Sequence, residues 1–425
     1  MKARVEPGDL SDTISAPASK SMTQRAYAAA LLHKGTTIIQ GAGHSDDEQA
    51  ALQIIQQLGA KIVSTTPGKI EIYSTGEVTP ITGVINCNES GLSARLFSPI
   101  AALSAQAIRI DGAGSLPRRP MEGFKDIFAA LQVHLPAFTG YIPFTLQGPV
   151  LPQSISVDAS GGSQLLSGLL FALTAAITPL TIEVSGLKSK PYIDMTLAML
   201  AHFGKPVAHD NYKSFYVDPA LFTSRDAVEI TIEGDWSGAA GLLVAGAIAG
   251  SITIRNLDAH SLQADRAILT VLEAAGATVS LNDAGISVKQ ARLKAFEFDS
   301  SESPDLFPVL AILAACCEGE SYITGIHRLF HKESNRAQSI SEMLQNFDVP
   351  YAIEDDALCI TGANKLQGTI IDPFHDHRIV MAAAIGALRA SGPVDILHAQ
   401  SVNKSYPDFF KDLALCGGKT SFIAD

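Results

Sequence analysis

The 425 residues are 47% hydrophobic and 17% charged, a balance that fits a well-buried globular chain and excludes a disordered or fibrous one. A formal charge of −12 excludes a generally basic surface for nucleic acid or anionic lipid, so any anion site has to be a local cluster of cations. A chain of this length exceeds one ordinary core, and two domains of about 200 residues are expected.

The opening "MKARVEPGDL" carries an acid and a proline where an export signal needs an apolar run. The five cysteines (Cys87, Cys316, Cys317, Cys359, Cys416) form no CxxC pair, so a reducing cytoplasm is expected. Strand-like runs then open at Thr37, Ile108, Thr181, Ile252, Tyr322 and Val394, spaced by 71, 73, 71, 70 and 72 residues. Such a period signals repeated supersecondary units. Each run leads through a polar loop into an amphipathic helix, as in "DEQAALQIIQQLGAK", "PYIDMTLAMLAHFGK" and "LQADRAILTVLEAAGA". Most of those helices stop near a glycine and pass into paired short strands, as in "KIVSTTPGKIEIYS".

Each unit holds a second kind of helix, apolar nearly all round: "AYAAALL", "ARLFSPIAALSA", "LLSGLLFALTAA", "AAGLLVAGAIAG", "LFPVLAILAACC" and "RIVMAAAIGAL". A helix without a polar face must be surrounded by protein, and six cannot share one axis. Two clusters of three are expected, in an α/β fold with helices inside and sheets and outer helices around them. The longest uncharged run, residues 159–182, could span a bilayer by length, but Pro179 and its many Ser, Thr and Gly residues favour a buried helix. The last unit ends without closing strands, so the N-terminal segment is expected to complete the C-terminal domain. The predicted domains are residues 19–233, and residues 1–18 with 234–425.

Polar residues fall at two places in the period. At the N-termini of the buried helices stand Lys20, Ser21 and Arg25; Gly91 and Arg95; Ser163 and Gln164; Ser237; Asp305; and His377 with Arg378. In the loops after the strands stand Asp46 and Asp47; Arg118 and Arg119; Lys188, Ser189, Lys190 and Tyr192; Lys332, Glu333 and Arg336; and Lys404. Helix N-termini offer unpaired N–H groups and a positive dipole end, and Lys and Arg beside them suit phosphate or carboxylate. Any one such loop reads most simply as caps and solvated ion pairs. Recurrence through five of six units favours an anion-filled cleft between the domains. No GxxxxGK[ST] loop occurs, "GAGSLP" lacks the third glycine of a dinucleotide loop, and "HDH" is too short a metal signal, so neither nucleotide nor metal is expected.

Eight collinear motifs carry a resemblance: "SKSMTQR" from Ser19, "RRPM" from Arg118, "SQLL" from Ser163, "SKPYIDMTL" from Ser189, "SPD" from Ser303, "HKESNR" from His331, "DHRIVMA" from Asp376 and "NKSYPDFF" from Asn403. Together they resemble the enolpyruvylshikimate-phosphate synthases, or 3-phosphoshikimate 1-carboxyvinyltransferases, over almost the whole chain. The resemblance implies a two-domain inside-out α/β barrel of six repeats, three per domain. It also implies transfer of the enolpyruvyl group of phosphoenolpyruvate to the 5-hydroxyl of shikimate 3-phosphate, without a cofactor. Lys20, Ser21, Arg25, Ser163, Gln164, Ser189, Tyr192, Asp305 and Lys332 are similar to the family's shikimate-phosphate contacts. Gly91, Arg119, Arg336, His377, Arg378 and Lys404, with Lys20 and Gln164, are similar to its phosphoenolpyruvate clamp. Asp305 corresponds to its base and Glu333 to its proton donor. Glu89, Leu92, Gly162 and Arg328 depart from the residues common there. Glu89 is expected either to turn away from the bound anion or to pair with a cation. The rival readings are the related transferase acting on UDP-N-acetylglucosamine, whose usual loop cysteine is missing from "GAGSLPRRP", and a non-catalytic binding paralogue. A monomer with no nucleic-acid or membrane partner is expected.

Overall fold

In the computed structural model, which describes residues 1–282, 284–363 and 365–423, the chain forms two compact units. One is Ala18–Ile232 and the other joins Met1–Pro17 to Glu233–Asp425. The crossings lie one residue earlier than the sequence-based boundaries.

Each unit is built around three helices buried on every side. In Ala18–Ile232 these are α1 (Lys20–Leu32), α2 (Gly91–Ala101) and α3 (Ser163–Leu173). In the other unit they are α4 (Trp236–Ile248), α5 (Phe307–Ala315) and α6 (His377–Ala387). Their starts are set by local chemistry. Ser19, Ser90, Asp235 and Asp376 cap α1, α2, α4 and α6 by accepting from the amides of Met22, Ser93, Gly238 and Arg378. Gly162, at φ 125°, opens α3 in a conformation that a side chain would resist. Pro308 stands in the first turn of α5, where a missing N–H costs nothing.

Three sheets belong to each unit. The strands opened by the six periodic runs, Lys34–Gln40, Ala107–Asp111, Leu180–Ser185, Gly250–Arg255, Glu320–Thr324 and Val394–Ile396, each pair parallel with one neighbour and antiparallel with another. Alternating burial, as in Lys69–Thr75, turns one face of the sheet to the core and the other to water. Each unit has its own hydrophobic cluster, and the buried helices supply much of both. Every leucine buried there contributes roughly 1.5–3 kcal/mol.

Two expectations are amended, and the second sheet differs from the other five. The second sheet has only three strands, because Phe124–Ala130 is a short helix followed by turns with Gln132 and Ala137 at positive φ, and one strand, Phe144–Gln147, returns. The helix of "LQADRAILTVLEAAGA" is split into a 3-10 turn, Ala264–Ala267, and an α-helix, Ile268–Ala274. The C-terminus does supply a closing strand: Thr420–Ile423 pairs antiparallel with Lys2–Val5. The N-terminal segment completes two sheets, with Lys2–Val5 between Val394–Ile396 and Thr420–Ile423, and Leu10–Ser15 parallel to Gly250–Arg255. Among the described residues, no helix is long and apolar enough to cross a membrane.

Candidate active site

The polar residues gather in two sets, one in each unit. In Ala18–Ile232 they surround the N-termini of α1, α2 and α3. Lys20, the first residue of α1, donates to Asp47 at 2.8 Å. Arg25 is fully buried. It donates to the carbonyls of Ser21 and Tyr192 at 2.9 and 3.0 Å, and its Nε donates to Thr196 at 2.9 Å. Burial pushes this guanidinium down to about 10, because no carboxylate offsets the lost hydration. Arg25 thereby ties α1 to the helix Lys190–His202, fixing the backbone of both Ser21 and Tyr192. Ser189 opens that helix at φ 59°, a left-handed conformation unusual for a residue with a side chain.

Gly91 begins α2 directly against Arg119. A Cβ there would stand 2.7–2.9 Å from the guanidinium, so the arginine lies flat on the bare backbone. Arg95 donates to the Gly91 carbonyl at 3.2 Å, to the Gln164 side chain at 3.3 Å and to the Pro120 carbonyl at 2.8 Å. It therefore links α2, the residue after Ser163 in α3, and the segment bearing Arg119. Glu89 turns toward the loop: its Oε2 accepts from the Ser115 amide at 3.3 Å, and its carboxylate packs on Gly114. This acid holds the turn that carries Arg119.

In the other unit the set is denser. Arg336 opens the helix Arg336–Asn346, is fully buried, and donates to three carboxylates: Glu333 at 2.6 Å, Asp305 at 2.8 Å and Asp376 at 2.9 Å. Burial works against its charge, but Asp376, Glu333 and Asp305 overcome that and raise its pKa. Asp305, in the 3-10 turn before α5, accepts from Arg336 and, more distantly, from Lys332 at 3.4 Å on Oδ1, and its Oδ2 forms an ion pair with Arg378 at 2.9 Å. Burial alone would raise its pKa, but Arg378, Lys332 and Arg336 hold it well below the usual carboxylate range. Burial lowers Lys332, with Asp305 opposing that shift. His377 is buried at the start of α6, with Nδ1 3.9 Å from Asp376. Lys404, also buried, donates to the His375 carbonyl at 2.9 Å. Phe374 and His375 precede the Asp376 cap at φ 51° and 58°, strained backbone beside charged side chains.

Sequence reasoning placed these residues in the register but gave no role to Asp47, Arg95, Asp376 or Asp265. Asp376 had a signal, since a carboxylate that caps a helix beside two basic residues is placed to organise them. Among the described residues, no group of three or more His, Cys, Asp or Glu could hold a metal ion.

The fold and these two sets of cations and carboxylates define a class: two-unit α/β proteins that gather charged side chains at the N-termini of buried helices. Comparison with known proteins gives the family. A family model described as EPSP synthase (3-phosphoshikimate 1-carboxyvinyltransferase) matches residues 5–413. The chain is 38% identical to the 3-phosphoshikimate 1-carboxyvinyltransferase of Thermococcus kodakarensis, covering 94% of this chain and 96% of that one. It is 32% identical to that of Clostridium novyi, over 98% and 97%. The solved EPSP synthase of Acinetobacter baumannii superposes with a TM-score of 0.82 at 26% identity, covering 99% of this chain and 100% of that one. The chain belongs to the EPSP synthase family, and it is an enzyme of enolpyruvyl transfer in the shikimate pathway.

Proposed function

We propose that both sets of residues act on one pair of substrates, phosphoenolpyruvate and shikimate 3-phosphate. The observation that carries this reading is Arg336, which bonds Asp305 and Glu333 at once and so keeps two carboxylates together inside a cationic cluster. Lys20, Ser21, Arg25, Ser163, Gln164, Ser189, Tyr192 and Lys332 would hold the shikimate phosphate. Arg119, Arg336, His377, Arg378 and Lys404, with the Gly91 backbone, would hold phosphoenolpyruvate.

Asp305 takes the proton of the 5-hydroxyl as its oxygen bonds to C2 of phosphoenolpyruvate, while Glu333 gives a proton to the methylene carbon. The tetrahedral adduct keeps its carboxylate and phosphate, and the fixed cations stabilise both. In the second step Glu333 recovers a proton from the new methyl group as the C2–O bond to phosphate breaks. The enol ether forms, and phosphate leaves with the proton held by Asp305. Fixed orientation of two bound reactants supplies much of the acceleration.

The reading requires no cofactor, nucleic acid or membrane, and assigns a complete site to each monomer in the cytoplasm. Its test is phosphate release from phosphoenolpyruvate, expected only when shikimate 3-phosphate is added. Asp305→Asn and Glu333→Gln should each lower turnover at least about a hundredfold with the fold kept. Release supported by UDP-N-acetylglucosamine would overturn the substrate pair, and parental rates in both variants would overturn the assigned roles.

A further inference from the structure

The 3-10 turns that carry Asp305 and Asp265, and the helix α6 that carries Arg378, all pack against α4, and Asp265 is a carboxylate that the reaction above does not use. Asp265, in the 3-10 turn Ala264–Ala267, is only 1% exposed. Its Oδ2 accepts a hydrogen bond from the Ser237 hydroxyl in the first turn of α4, and its Oδ1 has no hydrogen-bond partner among the described residues. A buried carboxylate with one oxygen unsatisfied is expensive, and a structural role would be served by an amide or an apolar side chain. The charged groups acting on it are Asp305, Arg378 of α6 and Asp235, the cap of α4. Arg266, its own neighbour, donates instead to the Ala259 carbonyl at 3.0 Å. Arg378 feels both Asp305 and Asp265, so one guanidinium serves two carboxylates.

Asp305, as it stands, is a poor base, because Arg378, Lys332 and Arg336 stabilise its charged form. An anionic substrate on Arg378 and Arg336 takes up part of that positive charge. Asp305 is then left facing a negative neighbour with less compensation, which favours its protonated form. We propose that Asp265 is a positioning residue for Asp305: by sharing Arg378 and presenting a buried negative charge, it makes Asp305 basic enough to hold the hydroxyl proton once the substrate anion occupies the arginines. The inference rests on the reading of Asp305 as the base. The cost of placing the charge there is visible, since burial first, and Asp305 second, push Asp265 up to about 6.

The test is the pH dependence of phosphate release by the full chain. Asp265→Asn removes the neighbouring charge, so Asp305 becomes less basic. The acid limb should move down by at least about half a pH unit, and kcat should fall roughly tenfold, with no rise in the KM for phosphoenolpyruvate. Ser237→Ala, a milder change, removes the donor that supports the Asp265 charge. Its deficit should be largest near pH 6 and should disappear near pH 8.5, where Asp265 is ionised regardless. A loss of packing would lower the rate equally at every pH. An unmoved acid limb in Asp265→Asn, or a pH-independent deficit or none in Ser237→Ala, overturns the proposal. If Asp265→Asn does not fold, Ser237→Ala decides alone. Should Asp305→Asn keep the parental rate, this inference falls together with the reading of the base. Should Asp305→Asn be inactive and the pH profiles of the other variants be unmoved, this inference alone falls.

Discussion

A Cβ on Gly91 would stand only 2.7–2.9 Å from the atoms of the Arg119 guanidinium. Gly91→Ala therefore displaces the far end of a side chain and leaves the backbone of α2 in place. The melting temperature should change little, while the KM for phosphoenolpyruvate should rise on the order of tenfold, as expected when a positioned cation is shifted by a fraction of an ångström. Steady-state kinetics with both substrates varied would show it, and an unchanged KM would remove Arg119 from the clamp. Asp265 supports a stability prediction of the opposite kind. Its pKa is raised on folding, from 3.8 to about 6, so the proton favours the folded state. The stability it confers is complete below the unfolded pKa and is lost as pH rises through the folded one. Asp265→Asn should accordingly gain on the parent between about pH 4 and pH 6, by at most about 3 kcal/mol, and keep that gain at neutral pH. Denaturation midpoints at pH 4 and pH 7 check this, and a gain while activity falls would mark the carboxylate as kept for chemistry. Such a residue is not readable from sequence, because its meaning depends on burial and on Ser237, Asp305 and Arg378, which lie far from it along the chain.

The element that brings the first set of residues together is the contact of α2 with α3. A Cβ at Gly168 would stand 2.6 and 2.7 Å from the carbonyl oxygens of Leu96 and Arg95, backbone atoms that cannot swing aside. Gly168→Ala must push the two helices apart, at a cost of roughly 1–3 kcal/mol. It also pulls Arg95 from Gln164, 3.3 Å away across the same contact. Urea denaturation should show the loss of stability and kinetics a loss of turnover, whereas a variant as stable as the parent would mean that the helices are not fixed by this contact. The buried helices themselves were legible, because uniformly apolar stretches such as "LFPVLAILAACC" leave no polar face to expose. The six strands were legible from β-branched and other apolar runs recurring at a fixed period. The short helix Phe124–Ala130 and the split at Ala267/Ile268 were not, since local pattern does not specify where a helix yields to tertiary packing. The paired cations were legible as a register. Asp47 was legible in the same register, but its pairing with Lys20 and that of Asp376 with Arg336 were not, because a carboxylate beside basic residues reads equally well as a surface ion pair.

At the scale of the chain, the unit Met1–Pro17 with Glu233–Asp425 depends on its two ends meeting. Lys2–Val5 sits between two strands from the far end of the sequence, and Asp395 holds it from the side. Asp395 accepts from Arg4 at 2.7 Å and from Lys2 at 3.0 Å. The hydrogen bond from Arg4 is the main reason that Asp395 is held down to about 2; burial opposes it, and Lys2 adds to it. A carboxylate depressed on folding contributes stability above its unfolded pKa, near 3.8, and loses it as pH falls through the folded value. Because Arg4 reaches into solvent, the contribution is modest, and Asp395→Asn should lower the melting temperature of this unit by roughly 1–3 °C at neutral pH. The difference should close as the solution is taken from about pH 4 toward pH 2. The chain has one tryptophan, Trp236, buried at the start of α4 in this same unit, so its fluorescence follows the transition that the N-terminal strand supports. A gap between variant and parent that persists undiminished at pH 2 would mean that Asp395 acts through packing, with its charge irrelevant to closing the sheet.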